Sequence, residues 1–174
     1  MNKIGWTKKV NLLTKHRYIL LFLGFVIMLL DQLSKYIVHQ HIQLYDVIPV
    51  IDQFWNWTLT YNKGAAFSFL ANHEGNWPKI FFGIVALLVS IGIIHFILSK
   101  SYSKLTGIAM CFILGGATGN LVDRIIHGKV TDFIQWYYHN HYWPTFNLAD
   151  AFICVGVTFL IIEGIFFSKE DKEN

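Results

Sequence analysis

Four mainly apolar stretches, approximately 18–38, 79–98, 104–122 and 149–167, constrain this 174-residue chain more than any other feature. A helix needs about 20 such residues to cross a bilayer core of ~30 Å, and lipid offers the backbone no hydrogen bonds, so spanning segments must be helical. Charged residues make up only 14% of the chain, against about 25% in a soluble domain, and mean hydropathy is +0.43. Lys8, Lys9, Lys15 and Arg17 precede the first stretch as they would in a secretory signal. No A-x-A-like cleavage site follows it, so it reads as a retained span. The expected fold is a membrane protein, mainly α, in one integral-membrane domain over 1–174 with four transmembrane helices.

Lys and Arg set the orientation. Lys3, Lys8, Lys9, Lys15 and Arg17 precede span one, Lys100 and Lys104 flank the turn after span two, and Lys169 and Lys172 follow span four. The segments 39–78 and 125–148 are poorer, with Lys63, Lys79 and Lys129. Both termini are therefore expected in the cytoplasm, and those two segments outside. Trp55, Trp57, Trp77, Trp136 and Trp143 fall in or beside the outer segments, where indole rings favour the water–lipid boundary. Lysines gathered at segment ends, without aromatics between them, do not form a nucleic-acid surface.

Within the first outer segment, "FWNWTLTYN" (54–62) alternates Trp55, Trp57, Leu59 and Tyr61 with polar residues, the period of a half-buried strand. "VIPVI" (47–51) is a second strand candidate, with Pro49 placing it at an edge. A small external sheet on the membrane surface is expected. "WYYHNHYW" (136–143) reads as interfacial, its structure open.

This topology gathers the polar residues of the spans. Asp31 and Lys35 fall at the external end of span one, Asn120, Asp123 and Arg124 at that of span three, and Asn147 and Asp150 at that of span four. Asp132 lies in the segment between the last two; His95 and Glu163 are exceptions toward the other side. Charges in spans are costly, and a cluster at one depth points to a site. Structural readings stand beside the functional one. Asp31 and Lys35 are spaced for an ion pair on one helix face. Asn147 and Asp150 have capping-box spacing, with Asp in place of Glu. Asp123 and Arg124 are adjacent, point different ways and each need a partner. Asp132 has no helix to cap and no evident partner.

Several chemistries fit poorly. Ser34 and Lys35 diverge by about 100° on a helix, too far to share a proton directly. No G-x-S-x-G elbow or HExxH is present, "HNH" (139–141) is a poor zinc set, and Cys111 and Cys154 lie inside spans without CxxC spacing. Paired carboxylates remain: two close aspartates cannot both ionise easily, so one holds a proton while the other activates water.

In order, "DQLSK" (31–35), "NKGAAFS" (62–68), "GGATGNLVDR" (115–124), "VTDF" (130–133) and "FNLAD" (146–150) resemble the motifs of the lipoprotein signal peptidases, or signal peptidase II, bacterial intramembrane aspartyl proteases. The resemblance covers essentially the whole chain. It implies cleavage of diacylglyceryl-modified prolipoproteins just before the lipidated cysteine. Asp132 and Asp150 would be the catalytic pair. Asn62, Gly64, Asn120, Asp123, Arg124 and Asn147 would surround and order it, with Asp31 and Lys35 matching the first-span motif. Thr131 stands where a small aliphatic residue is common. The resemblance also implies a β-sheet cradle with an interfacial arm, no cofactor or metal, inhibition by globomycin-type cyclic peptides, and an inner-membrane site on the periplasmic side. Nothing requires more than a monomer. A four-span transporter using Asp31, Asp123 and Asp150 as a relay is the alternative. It would need carboxylates along the membrane path, where the inner halves of spans three and four offer only Glu163. A structural membrane subunit, the third reading, would not require unpaired aspartates.

Overall fold

The computed structural model describes residues 3–62, 64 and 77–166. In chain order these form α1 (Lys3–His41), β1 (Val47–Ile51), β2 (Trp55–Asn62), α2 (Trp77–Ser99), α3 (Lys104–His127), β3 (Val130–Tyr138), β4 (His141–Tyr142) and α4 (Leu148–Phe166). Lys15–His41 of α1 and all of α2, α3 and α4 are long and apolar enough to cross a membrane. Of the first external segment, 63 and 65–76 lie outside the described residues, including most of "NKGAAFS".

The helices exceed the apolar stretches at both ends of α1 and at the end of α3. Polar residues cap and extend a helix once it leaves lipid, so hydropathy alone understates its length. At its start, α3 is capped by Ser103, whose Oγ accepts the Thr106 N–H at 3.0 Å. At its end Gly128 takes φ 73° and donates its N–H to Arg124 O, the left-handed stop that glycine adopts without strain. Asp123 and Arg124 are thus inside the helix, not beyond it.

α3 is the central helix, half buried over its apolar window, whereas the other three are 11–28% buried. Its small residues explain this. A Cβ on Gly115 would stand 2.6 Å from Ile27 of α1, and one on Gly116 would stand 2.4 Å from Ala149 O of α4. Between helices in lipid there is no hydrophobic drive, and close van der Waals approach of small residues replaces it. Leu20, Ile27, Ile93, Ile97, Cys111 and Leu114 form the buried core between α1, α2 and α3. Phe22, Leu88 and Ile165 are at least 60% exposed, as lipid-facing side chains should be. At one end of the bundle Arg17 donates to the carbonyls of Leu98 and Lys100, tying α1 to the α2–α3 turn.

At the opposite end lies a four-stranded antiparallel sheet in the order β1-β2-β3-β4. β1 and β2 form where strands are expected, and β1, carrying Pro49, sits at the edge. β1 is exposed throughout, and in β2 Asn56 and Thr58 are buried with Leu59 while Trp55 and Trp57 are half-buried, so the apolar alternation does not mark the buried face. β3 pairs with β2 so that Thr60 faces Asp132 and Tyr61 faces Thr131, past a register shift between Trp57 and Thr60. The 136–143 stretch resolves into the end of β3, a turn in which His139 has φ 51°, and β4. Val38, Leu59 and Phe133, packed with Leu148, fasten the sheet to the ends of α1 and α4.

Candidate active site

Polar residues of α1, α3 and α4 meet where the bundle joins the sheet. The inner layer is an ion network. Lys35 Nζ lies 2.7 Å from Asp31 Oδ2 and 3.1 Å from Asp123 Oδ2, all three residues being almost fully buried. Its third N–H goes to Asn120 Oδ1 at 3.1 Å, so the ammonium is saturated. Asp31 Oδ1 accepts the Ala149 N–H at 2.9 Å, which caps α4 from a neighbouring helix. Asp123 accepts the Thr131 N–H at 2.9 Å and Gln32 Nε2 at 3.0 Å, which fixes the start of β3. Gly119 makes room for this layer, since a Cβ there would stand 2.6 Å from Asp31 Oδ2.

The outer layer is built on that one. Lysine can only donate, so its contact with Asn120 Oδ1 fixes which way the Asn120 amide points. The amide nitrogen then faces Asp150 and donates to its Oδ1 at 2.7 Å. Asn147 and Asp150 form the reciprocal cap that their spacing predicts: Asp150 N–H to Asn147 Oδ1 at 2.9 Å, and Asn147 N–H to Asp150 Oδ2 at 3.2 Å. The Asn147 side chain meanwhile donates to Asp132 Oδ1 at 2.7 Å. One residue therefore grips both aspartates, Asp132 by its amide and Asp150 by its main chain. From β2, the Asn62 side chain also hydrogen-bonds Asp132, while Asn62 Oδ1 accepts the Gly64 N–H at 2.8 Å. Gly64 has φ 104° and lies against Phe82, where a Cβ would come within 2.5 Å of the ring. Arg124 donates to Asn120 O at 3.1 Å and lies 5.6 Å over the Phe82 ring, its charge acting on Asp150, Asp123 and Asp132.

The four aspartates are thus not equivalent. Asp31 and Asp123 share the Lys35 ammonium, whereas among the described residues neither Asp132 nor Asp150 has a cation within ion-pair distance. Burial, followed by the nearby Asp150 charge, pushes the Asp132 carboxyl up to about 7, against the hydrogen bonds of Asn62 and Asn147 and the charge of Lys35. Asp132 is 1% exposed; Asp150 is only half-buried, so the pair opens on its side.

A family model described as signal peptidase (SPase) II matches residues 23–166. The chain belongs to the signal peptidase II family. A lipoprotein signal peptidase of Cellvibrio japonicus is 48% identical over 168 residues, covering 95% of this chain and 94% of the relative. One of Neisseria gonorrhoeae is 42% identical over 160 residues, covering 92% and 96%. A bacterial membrane enzyme solved by the in meso method at 2.3 Å superposes with a TM-score of 0.76 at 28% identity, covering 89% of this chain and 92% of that one.

The hydrogen-bond geometry of this signal peptidase II family member places residues that the sequence left without partners. Asp132 seemed to lack a partner because its neighbours, Asn62 and Asn147, arrive from a distant strand and the start of the next helix. Gln32, donating to Asp123 and to Gly119 O at 3.0 Å, and Thr131, offering Asp123 its N–H, were missed. For Gln32 the available signal was a polar residue beside Asp31 in an apolar run. For Thr131 it was adjacency to Asp132.

Proposed function

We propose that the chain is an aspartic endopeptidase that removes the signal peptide from diacylglyceryl-modified prolipoproteins, with Asp132 and Asp150 as the catalytic pair. The observation that carries this reading is the pair of carboxylates held by amides and, among the described residues, left without a contacting cation, beside two others that share one lysine. Carboxylates kept for structure alone are paired, as Asp31 and Asp123 are.

In this reading Asp132, its carboxyl raised by burial, is the member that holds a proton. Asp150, at the open side and at the N-terminus of α4, takes a proton from water as the water oxygen bonds to the scissile carbonyl carbon. Asp132 donates a hydrogen bond to the carbonyl oxygen, where charge develops. On collapse the C–N bond breaks, and the proton passes to the departing nitrogen, which becomes the amino group of the lipidated cysteine. Asn147 and Asn120 hold the carboxyls in position throughout, and Arg124 and Lys35 offset the charge.

The reading also places the site at the outer face of the inner membrane with both termini inside, supported by the Lys and Arg distribution. Acyl chains can then stay in the leaflet during cleavage, which matters because withdrawing them costs about 0.8 kcal/mol per methylene. Globomycin-type cyclic peptides should inhibit.

The test is purified protein incubated with a diacylglyceryl-prolipoprotein. Asp132→Asn and Asp150→Asn should each abolish cleavage while remaining folded in the membrane, and Asp123→Asn should weaken it without abolishing it. Turnover by either of the first two variants would remove that residue from the pair.

A further inference from the structure

Beside the site, on the far side of the Lys35–Asp123 layer, is an open basin of about 560 Å³ between the ends of α1 and α3 and the first residues of β3. Its lining carries the Lys129 ammonium, with the imidazoles of His39 and His127 beside it. Lys129 Nζ rests 3.2 Å from the centre of the Tyr61 ring and has no carboxylate within ion-pair distance among the described residues. The His39 ring stacks on Tyr61 at 5.9 Å, contacts Thr131 Oγ1 at 3.1 Å and lies 6.5 Å from His127. From α2, Lys79 Nζ comes 3.2 Å from where a Cβ on Gly128, the residue between His127 and Lys129, would be. Asp123 and Lys35 also face the basin, but each is satisfied within its own network.

We infer that this basin binds the phosphate of an anionic phospholipid whose acyl chains lie against α1 and α3. The unneutralised Lys129 ammonium, held on an aromatic face, calls for an anion, and Tyr36, Tyr61, Thr131, His39 and His127 bring hydrogen-bonding groups to the same lining. The neighbouring surface calls for acyl chains. Ile125 and Ile126 are 68% and 65% exposed on α3, and Leu33 and Ile37 are exposed on the adjoining stretch of α1. A diacylglyceryl group carries no charge, so the unpaired Lys129 ammonium is not explained by a substrate of that kind. The inference is independent of which residues do the cleaving, because its readout is lipid retention.

Purified protein in detergent is offered dioleoyl-phosphatidylglycerol, dioleoylglycerol, soluble glycerol phosphate or an acidic peptide, and bound ligand is counted by native mass spectrometry. The wild type should retain phosphatidylglycerol and not dioleoylglycerol. Lys129→Gln should lower that retention about fivefold, the usual effect of one basic side chain at a membrane surface, and Lys129→Arg should restore it. His127 is exposed, so His127→Gln provides a second variant that keeps its fold, and it should also lower retention. Unaltered retention in both Lys129→Gln and His127→Gln, or equal retention of dioleoylglycerol, would overturn the site. Displacement of the lipid by equimolar glycerol phosphate, or Lys129-dependent competition by the peptide, would overturn the lipid as its ligand.

Discussion

Replacing Asp132 with Asn should make the protein more stable in alkali, and the size of the gain follows from the site. The Asp132 carboxyl is raised from 3.8 to about 7 in the folded chain. At about 1.4 kcal/mol per unit, that difference corresponds to about 4 kcal/mol. A raised folded-state value means that the folded chain binds the extra proton. Stability from this group is therefore complete below about pH 4, declines as pH rises and is gone above about pH 7. Asparagine cannot ionise, so the variant escapes the decline; its amide must find new acceptors, which offsets about 1 kcal/mol. Unfolding in detergent micelles, followed from about pH 4 to about pH 8, should show wild type and variant diverging as pH rises, with the variant ahead by about 3 kcal/mol at the alkaline end. Because the Asp150 charge is the second cause of the shift, Asp150→Asn should move the wild-type decline to lower pH. A gap that stays constant with pH, or a variant that is weaker in alkali, would refute the placement of a strained, buried carboxyl at 132.

Asn147→Ala removes the cap of α4 and the amide on Asp132 together. It should cost about 1 kcal/mol in unfolding measurements and about 10²-fold or more in prolipoprotein cleavage. Lys35→Met leaves Asp31 and Asp123 buried without their cation, and a loss of about 3–5 kcal/mol should appear as unfolding at lower denaturant. Gly119→Ala drives a methyl into Asp31 and should cost about 1–3 kcal/mol, with a lower melting temperature than Gly83→Ala, where nothing lies within 4 Å.

What was legible in the sequence is what depends on spacing along the chain. The four spans, the position of β2, the Asp31–Lys35 pair and the Asn147–Asp150 cap all involve residues within a helical turn or one strand. What was hidden depends on pairing across distance. β3 begins with four buried residues in succession, Val130–Phe133, so it shows no alternation, and its partner β2 lies some 70 residues upstream. That Lys35 serves Asp123 and Asn120 as well as Asp31 needs helices α1 and α3 in contact, which hydropathy does not specify. The extension of α3 to His127 is hidden because Asp123 and Arg124 interrupt the apolar run before it and its stop signal is a single glycine.

The cap of α4 is completed by Asp31, a residue made more than a hundred positions earlier, and the amide facing Asp150 is aimed by Lys35 on that same first helix. A ribosome delivers the first helix early and the last one at the end. Until that final segment has entered the bilayer, the growing polypeptide holds Asp132 without Asn147 or Asp150 to face it. With the pair proposed above, the order of synthesis itself would set the moment at which the site is first complete.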